Sequence, residues 1–223
     1  MEFPAQAGVM ILGNCHLFPQ SMLPLFIFEP RYRAMLAEAL ESHCMFCLAM
    51  KRPDDAGERP CDVAGLGLVR VAVKNPNGTS NLVLQGLTRV RLGKVVRTRP
   101  FRIHEIEPLV AEPADNLITD ALVSRALDLI ETLLRTGPTV PPAVLAQLTG
   151  AGKDAPVQIE DCVEALRRVE DPGAFADLVT ALLLPDPIMR QVILQTVPVE
   201  ERLRHLVHFL MGEVNRASQE SAE

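Results

Sequence analysis

Apolar positions along the chain follow two different rhythms. Up to about residue 110 they come in short runs or alternate with polar ones; beyond it they recur every three to four residues. The first rhythm predicts strands and the second helices. Val9 to Leu12 and Met45 to Met50 are short apolar runs, and 23–28, with its apolar stretch Leu25 to Phe28, is another. Pro30 comes directly after it, suited by its fixed φ to the first turn of a helix. From there Tyr32, Met35, Leu36, Ala39 and Leu40 share one helical face, with Arg31, Arg33, Glu38 and Glu41 opposite. The pattern predicts a strand running straight into a helix over 30–41. Glu29 sets negative charge at the positive end of the helix dipole.

Leu66 to Lys74 alternates, with Val69, Val71 and Val73 on one face and Arg70, Ala72 and Lys74 on the other, which predicts a half-buried strand. Asn75-Pro-Asn-Gly78 is a turn, and Asn77-Gly78 suits positive φ in a hairpin. Residues 81–87, 89–96 and 101–109 predict three more strands, with Gly86 at a bulge or bend. Lys51 to Asp62, with two prolines and a glycine, predicts an exposed loop. Short strands separated by turn signals point to a small barrel or folded sheet.

In the second part, Ile118, Leu122, Leu129, Ile130 and Leu133 stripe a helix over 115–135, stopped by Gly137-Pro138. A short helix to about 148 follows Pro141-Pro142, then a connector over 149–156, then a helix over 159–169. Asp171-Pro172 and Asp186-Pro187 each read as a cap followed by proline, opening helices 172–184 and 187–195. Pro198 opens the last helix, whose core face is Leu203, Leu206, Val207, Leu210, Met211 and Val214. The polar tail from Ser218 is expected to fray. The whole is an α+β chain, with a β-domain over 1–110 and a helical domain over 111–223.

Charge divides at the same place. Residues 1–110 carry 13 Lys and Arg against 10 Asp and Glu, and the remainder 9 against 18, giving +3 and −9 within the net −6. With no Trp and one Tyr among 223 residues, the core is expected to be mostly aliphatic. No apolar run approaches the roughly 20 residues of a membrane span, and the start Met-Glu-Phe-Pro-Ala-Gln lacks the basic region of a signal peptide. Five cysteines without framework spacing fit a reduced, cytoplasmic setting, and no membrane partner is expected.

Leu17-Phe-Pro followed by Leu23-Pro-Leu-Phe-Ile-Phe-Glu-Pro-Arg-Tyr-Arg-Ala-Met resembles the N-terminal, substrate-binding domain of Lon proteases. So do Gly67-Leu-Val-Arg-Val, Asn77-Gly78 and Asn81-Leu-Val-Leu-Gln-Gly-Leu-Thr-Arg-Val-Arg-Leu. In the helical part the likeness returns at Asp171-Pro-Gly-Ala-Phe-Ala-Asp-Leu-Val, Arg190-Gln191 and Val199-Glu-Glu-Arg-Leu-Arg-His-Leu. The resemblance implies a PUA-like β-domain followed by helices, and non-catalytic recognition of unfolded or extended polypeptide. The partners it implies include a protease or chaperone system. The ATPase and Ser-Lys protease domains that continue such proteins are not in this sequence. Gly86 to Lys94 lacks the spacing and the Ser or Thr of a phosphate-binding loop.

The residues offer three readings. Phe18, Phe26, Phe28 and Tyr32 are either core or the lining of an apolar groove for polypeptide, with Glu29, Arg31 and Arg33 as its polar rim. Arg89, Arg91, Lys94, Arg97, Arg99 and Arg102 place six cations in 14 residues without an acid, the basis of an RNA-binding alternative. The negative net charge and scarce aromatics weigh against nucleic acid. A small-molecule pocket between the two parts is the third, without convergent residues to support it. Cys44-Met-Phe-Cys47, with His43, Cys61 and His16, invites a metal, but alternation sends positions 44 and 47 to opposite faces. His205 and His208 with Glu201 read as a solvated helix face. No cofactor and no metal are expected.

Overall fold

The structure is a computed structural model that describes residues 2–112, 114, 116–136 and 158–220. The short helix expected to about 148 and the connector over 149–156 lie outside the described residues. Two compact units divide the chain, Met1–Val110 and Ala111–Glu223, and the architecture is α+β.

The first unit contains β1 (Gln6–Leu12), β2 (Met22–Ile27), α1 (Pro30–Leu40), β3 (Met45–Met50), β4 (Val63–Lys74), β5 (Ser80–Arg97) and β6 (Arg102–Leu109). The sheet order is β2-β5-β4-β3-β1-β6, and β6 pairs again with β5. Five strands therefore close a ring, and β2 hangs outside it on the first half of β5. β1 and β3 run parallel with Val9 beside Cys47. A parallel pair needs a long crossover, and the chain from Gly13 through β2 and α1 provides it. β3 is buried on both faces. Phe46 and Leu48 join a cluster with Tyr32, Met35 and Leu36 of α1, while Met45, Cys47 and Ala49 join a second with Val9, Ile11 and Leu66.

Two irregularities separate this sheet from the expected one. Residues 80–97 form one strand, not two, because the ladder steps from Leu66–Thr88 to Gly67–Gly86 and leaves Leu87 as an extra residue. The bulge absorbs what reads in sequence as a break. A second bulge passes from Val69 opposite Leu84 to Val71 opposite Val83, leaving Arg70 extra. At the far end of β4 the hairpin turn is as expected, with Gly78 at φ +80° and its N–H donating to the Asn75 carbonyl at 2.9 Å.

Leu17-Phe18-Pro19 is clamped across the sheet by glycine. A Cβ on Gly65 would lie 2.0 Å from the Leu17 carbonyl oxygen, and one on Gly86 1.9 Å from that of Phe18. Only glycine admits this approach. Gln20 N–H then donates to the Gly86 carbonyl at 2.8 Å, and Gly86 N–H to that of Ser21 at 2.9 Å.

The second unit contains α2 (Leu117–Thr136), α3 (Ile159–Arg167), α4 (Pro172–Leu183), α5 (Pro187–Gln195) and α6 (Val199–Glu220). The long helices α2 and α6 pack on each other. Asp171 accepts from Ala174 N–H at 2.5 Å and Asp186 from Ile188 N–H at 2.6 Å, so both caps form. Contrary to expectation, α6 continues through Ser218, whose hydroxyl donates to the Val214 carbonyl at 2.9 Å. Met211, expected in the core face, is exposed. Arg202 of α6 and Asp177 of α4 form a buried ion pair at 3.3 Å, their side chains only 3% and 4% exposed. Arg202 also donates to the carbonyls of Thr196 at 3.0 Å and Val197 at 2.8 Å, as a buried guanidinium requires.

Candidate functional site

The site follows from the bulge at Arg70. Val69 packs toward the core with Leu84. Without the bulge, Val71 and Val73 would do the same, by the alternation read from sequence. One extra residue turns both to the opposite face. The antiparallel register then places Pro24, Val83 and Val71 in one row across β2, β5 and β4, and Phe26, Asn81 and Val73 in the next. With Leu25 and Leu82 these line an open depression of about 400 Å³. Met22, Phe26, Phe28, Val71 and Val73 are 53–60% exposed. The rings of Phe26 and Phe28 stack with centroids 6.0 Å apart. A contiguous apolar surface of this kind is a candidate interaction site, unlike a lone exposed leucine.

β2 matches this surface residue by residue. Leu23 and Leu25 are half-buried and Ile27 is buried on one side, while Met22, Pro24 and Phe26 are exposed on the other. The apolar run 25–28, which by itself suggests a strand buried on both faces, is therefore covered on one face only.

The expected polypeptide-contacting residues separate into two groups. Phe18, at 1% exposure, and Tyr32, at 5%, are core. Phe18 is carried inward by the segment lying over Gly65 and Gly86. Tyr32 hydroxyl donates to the Ile11 carbonyl at 3.0 Å and accepts from Ile11 N–H at 3.1 Å, so its polar end is satisfied inside. Burial pushes the phenol pKa up. Neither ring can line a groove in this structure. Glu29, Arg31 and Arg33 stay accessible to different degrees. Arg31 bridges Glu29 at 2.9 Å and Glu58 of the following loop, and lies 4.5 Å over the Tyr32 ring. Its hydrogen bond holds the Glu58 carboxyl below the usual carboxylate range. Arg33 is exposed and reaches the hairpin turn, where a Cβ on Gly78 would meet its guanidinium.

The six-cation strip is broken up by the fold. Arg89 is buried at 5% exposure. Arg91 pairs with Glu107 at 3.2 Å, and Arg97 pairs with Glu38 at 2.7 Å while stacking over Phe101. Lys94 and Arg99 are exposed and Arg102 is half-buried, so the six do not present one free basic surface. Cys44 lies outside β3 at φ +58°. Cys47 is buried, which raises its thiol pKa far above the usual range. Among the described residues no three His, Cys, Asp or Glu side chains converge as a metal site, and no helix is long and apolar enough to cross a membrane.

Comparison with known proteins gives the family and agrees with the fold. The family model of the ATP-dependent protease La (LON) substrate-binding domain matches residues 7–211. A Lon protease of Roseiflexus castenholzii is 26% identical over 98% of this chain and 26% of its own length. Lon protease 2 of Herpetosiphon aurantiacus is 25% identical over 93% of this chain and 24% of its own. The chain thus spans about a quarter of these relatives. The N-terminal domain of Mycobacterium avium complex Lon protease superimposes with a TM-score of 0.68 at 19% identity, over 92% of this chain and 98% of that one. A Lon N-terminal domain protein from Xanthomonas campestris gives 0.61 at 15% identity, over 91% and 97%.

Proposed function

Because the chain belongs to the Lon substrate-binding domain family, we propose that it recognises protein segments without catalysing a reaction on them, and that the outer face of β2, β5 and β4 makes the contact. The observation that carries this reading is the group of five large apolar side chains, Met22 and Phe26 of β2, Phe28 just after it, and Val71 and Val73 of β4, each more than half exposed. Folded proteins bury most such side chains, whereas unfolded ones expose them, so an apolar face of this size discriminates between the two states. The depression is open and carries no acid-base constellation, which suits a surface that holds a chain. Glu29, Arg31 and Arg33 stand at its margin as polar rim.

The test is binding of a permanently unfolded protein, reduced and carboxymethylated α-lactalbumin, by titration calorimetry. Phe26→Asp combined with Val73→Asp is expected to weaken binding by about tenfold or more, since two exposed anchors of about 1 kcal/mol each are lost. Unchanged binding by a folded double variant would remove this face from the proposal.

A further inference from the structure

β2 has a free edge. It pairs with β5 on one side, and among the described residues no strand pairs with the other. Gly86 N–H donates across to the Ser21 carbonyl, so by alternation the amide groups of Leu84, Leu82 and Ser80 also point to β2. They meet Leu23, Leu25 and Ile27 in the register Leu23–Leu84, Leu25–Leu82 and Ile27–Ser80. Met22, Pro24 and Phe26 therefore turn their backbone groups outward, offering two N–H donors and three carbonyls. Pro24 lacks an N–H, and its missing donor falls on the open side, as proline in an edge strand requires. Proline there also discourages pairing with identical edges, while leaving every outward carbonyl in place.

The same three residues present their side chains on the apolar face, and Met22 and Phe26 are more than half exposed. A strand laid along β2 would continue the rows Pro24–Val83–Val71 and Phe26–Asn81–Val73 by one position. Charge narrows the occupant further. Glu29 and Glu58 are both held by Arg31. Arg70 and Lys74 of β4 are exposed, exposed Arg33 of α1 reaches the turn that joins β4 to β5, and none of the three forms an ion pair among the described residues. The surround is cationic, so an acidic flank complements it.

We infer that the bound segment adds to β2 as a further strand, and that the preferred segment has apolar residues at alternate positions next to an acidic flank. The inference rests on the polypeptide-binding reading above and gives it a mode. Main-chain hydrogen bonds supply sequence-tolerant affinity, and the alternate side chains and flank supply preference. Such a mode accepts only chains that are locally extended, with donors and acceptors unpaired.

The experiment uses the full chain and a ten-residue peptide with Val, Phe and Val at alternate positions, Ser or Thr between them, and two Glu at one end. Affinity is measured for this peptide, for versions N-methylated on one or the other alternate set of amides, and for a version with Lys replacing Glu. Methylation of the set facing β2 is expected to weaken binding at least tenfold, and methylation of the other set less than about twofold. The Lys version is expected to bind about tenfold more weakly at low salt, two exposed charge pairs worth a few tenths to one kcal/mol each being replaced by like-charge repulsion. Equal loss from both methylated sets, or from neither, overturns strand addition while leaving the polypeptide reading in place. Failure of every peptide to bind, with Phe26→Asp and Val73→Asp without effect on unfolded lactalbumin, overturns both.

Discussion

In the β unit, five large apolar side chains stand more than half exposed on one sheet face. In the helical unit, Arg202 and Asp177 are taken inside to 3% and 4% exposure. Each departs from the usual partition of residues, but they differ in whether the departure is compensated locally. Arg202 has Asp177 and two carbonyls as partners, so its charge is matched within its own unit. The apolar face of β2, β5 and β4 finds no such partner among the described residues of its own unit. An internally satisfied anomaly is explained by folding; the one left open is what the proposed binding face would explain.

Removing one member of the satisfied anomaly should have the largest effect. Arg202→Ala removes the guanidinium that pairs with buried Asp177, and a loss of about 3–5 kcal/mol is expected in chemical denaturation of the helical unit. Asp177→Leu with Arg202→Met should recover much of that loss, because a matched apolar pair strands no charge. If Arg202→Ala costs no more than a surface substitution, the distinction between the two regions fails.

Next comes the clamp beneath the apolar face. Gly86→Ala forces a Cβ against the Phe18 carbonyl, and a destabilisation of about 1–3 kcal/mol is expected from overpacking, read as a shift in the denaturation midpoint of the β unit. By contrast, Phe26→Asp with Val73→Asp should change stability by less than about 0.5 kcal/mol per site while weakening polypeptide binding. A large stability loss there would turn the face into unrecognised core.

The smallest effect concerns the rim. Arg31 depresses the Glu58 pKa, so this contact stabilises the loop above the ordinary glutamate value of 4.5 and is lost as pH falls through the lower folded-state value. The Arg31 Nη1–H resonance, whose proton goes to Glu58, should shift across that acid range, and Glu58→Gln should abolish the dependence. A shift that persists in Glu58→Gln would overturn the assignment to this contact.

The sequence was most readable where local chemistry decides the outcome. Pro30 opens α1, Asp171 and Asp186 cap their helices, and Gly78 takes positive φ, each for reasons confined to a few neighbouring residues. It was least readable where one residue changes a face. Val69, Val71 and Val73 alternate perfectly, and nothing in that stretch announces that Arg70 is the extra residue of a bulge. That single insertion moves two valines from the expected core face to the candidate site. Phe18 and Tyr32 misled in the opposite direction, because their burial depends on glycines some 50 to 70 residues away or on a distant backbone partner. The Arg202–Asp177 pair did leave a signal: Arg202 lies on the apolar stripe with Val199, Leu203 and Leu206, and Asp177 beside Ala176 and Thr180. A charge in such a stripe calls for a buried partner.

Hydrogen exchange of the full chain with and without unfolded α-lactalbumin tests the proposed face most directly. Slower exchange is expected in residues 22–28 and 70–83, with the rates in α2 to α6 unchanged. Protection confined to the helical unit, or to the Arg91–Arg97 end of β5, would contradict it.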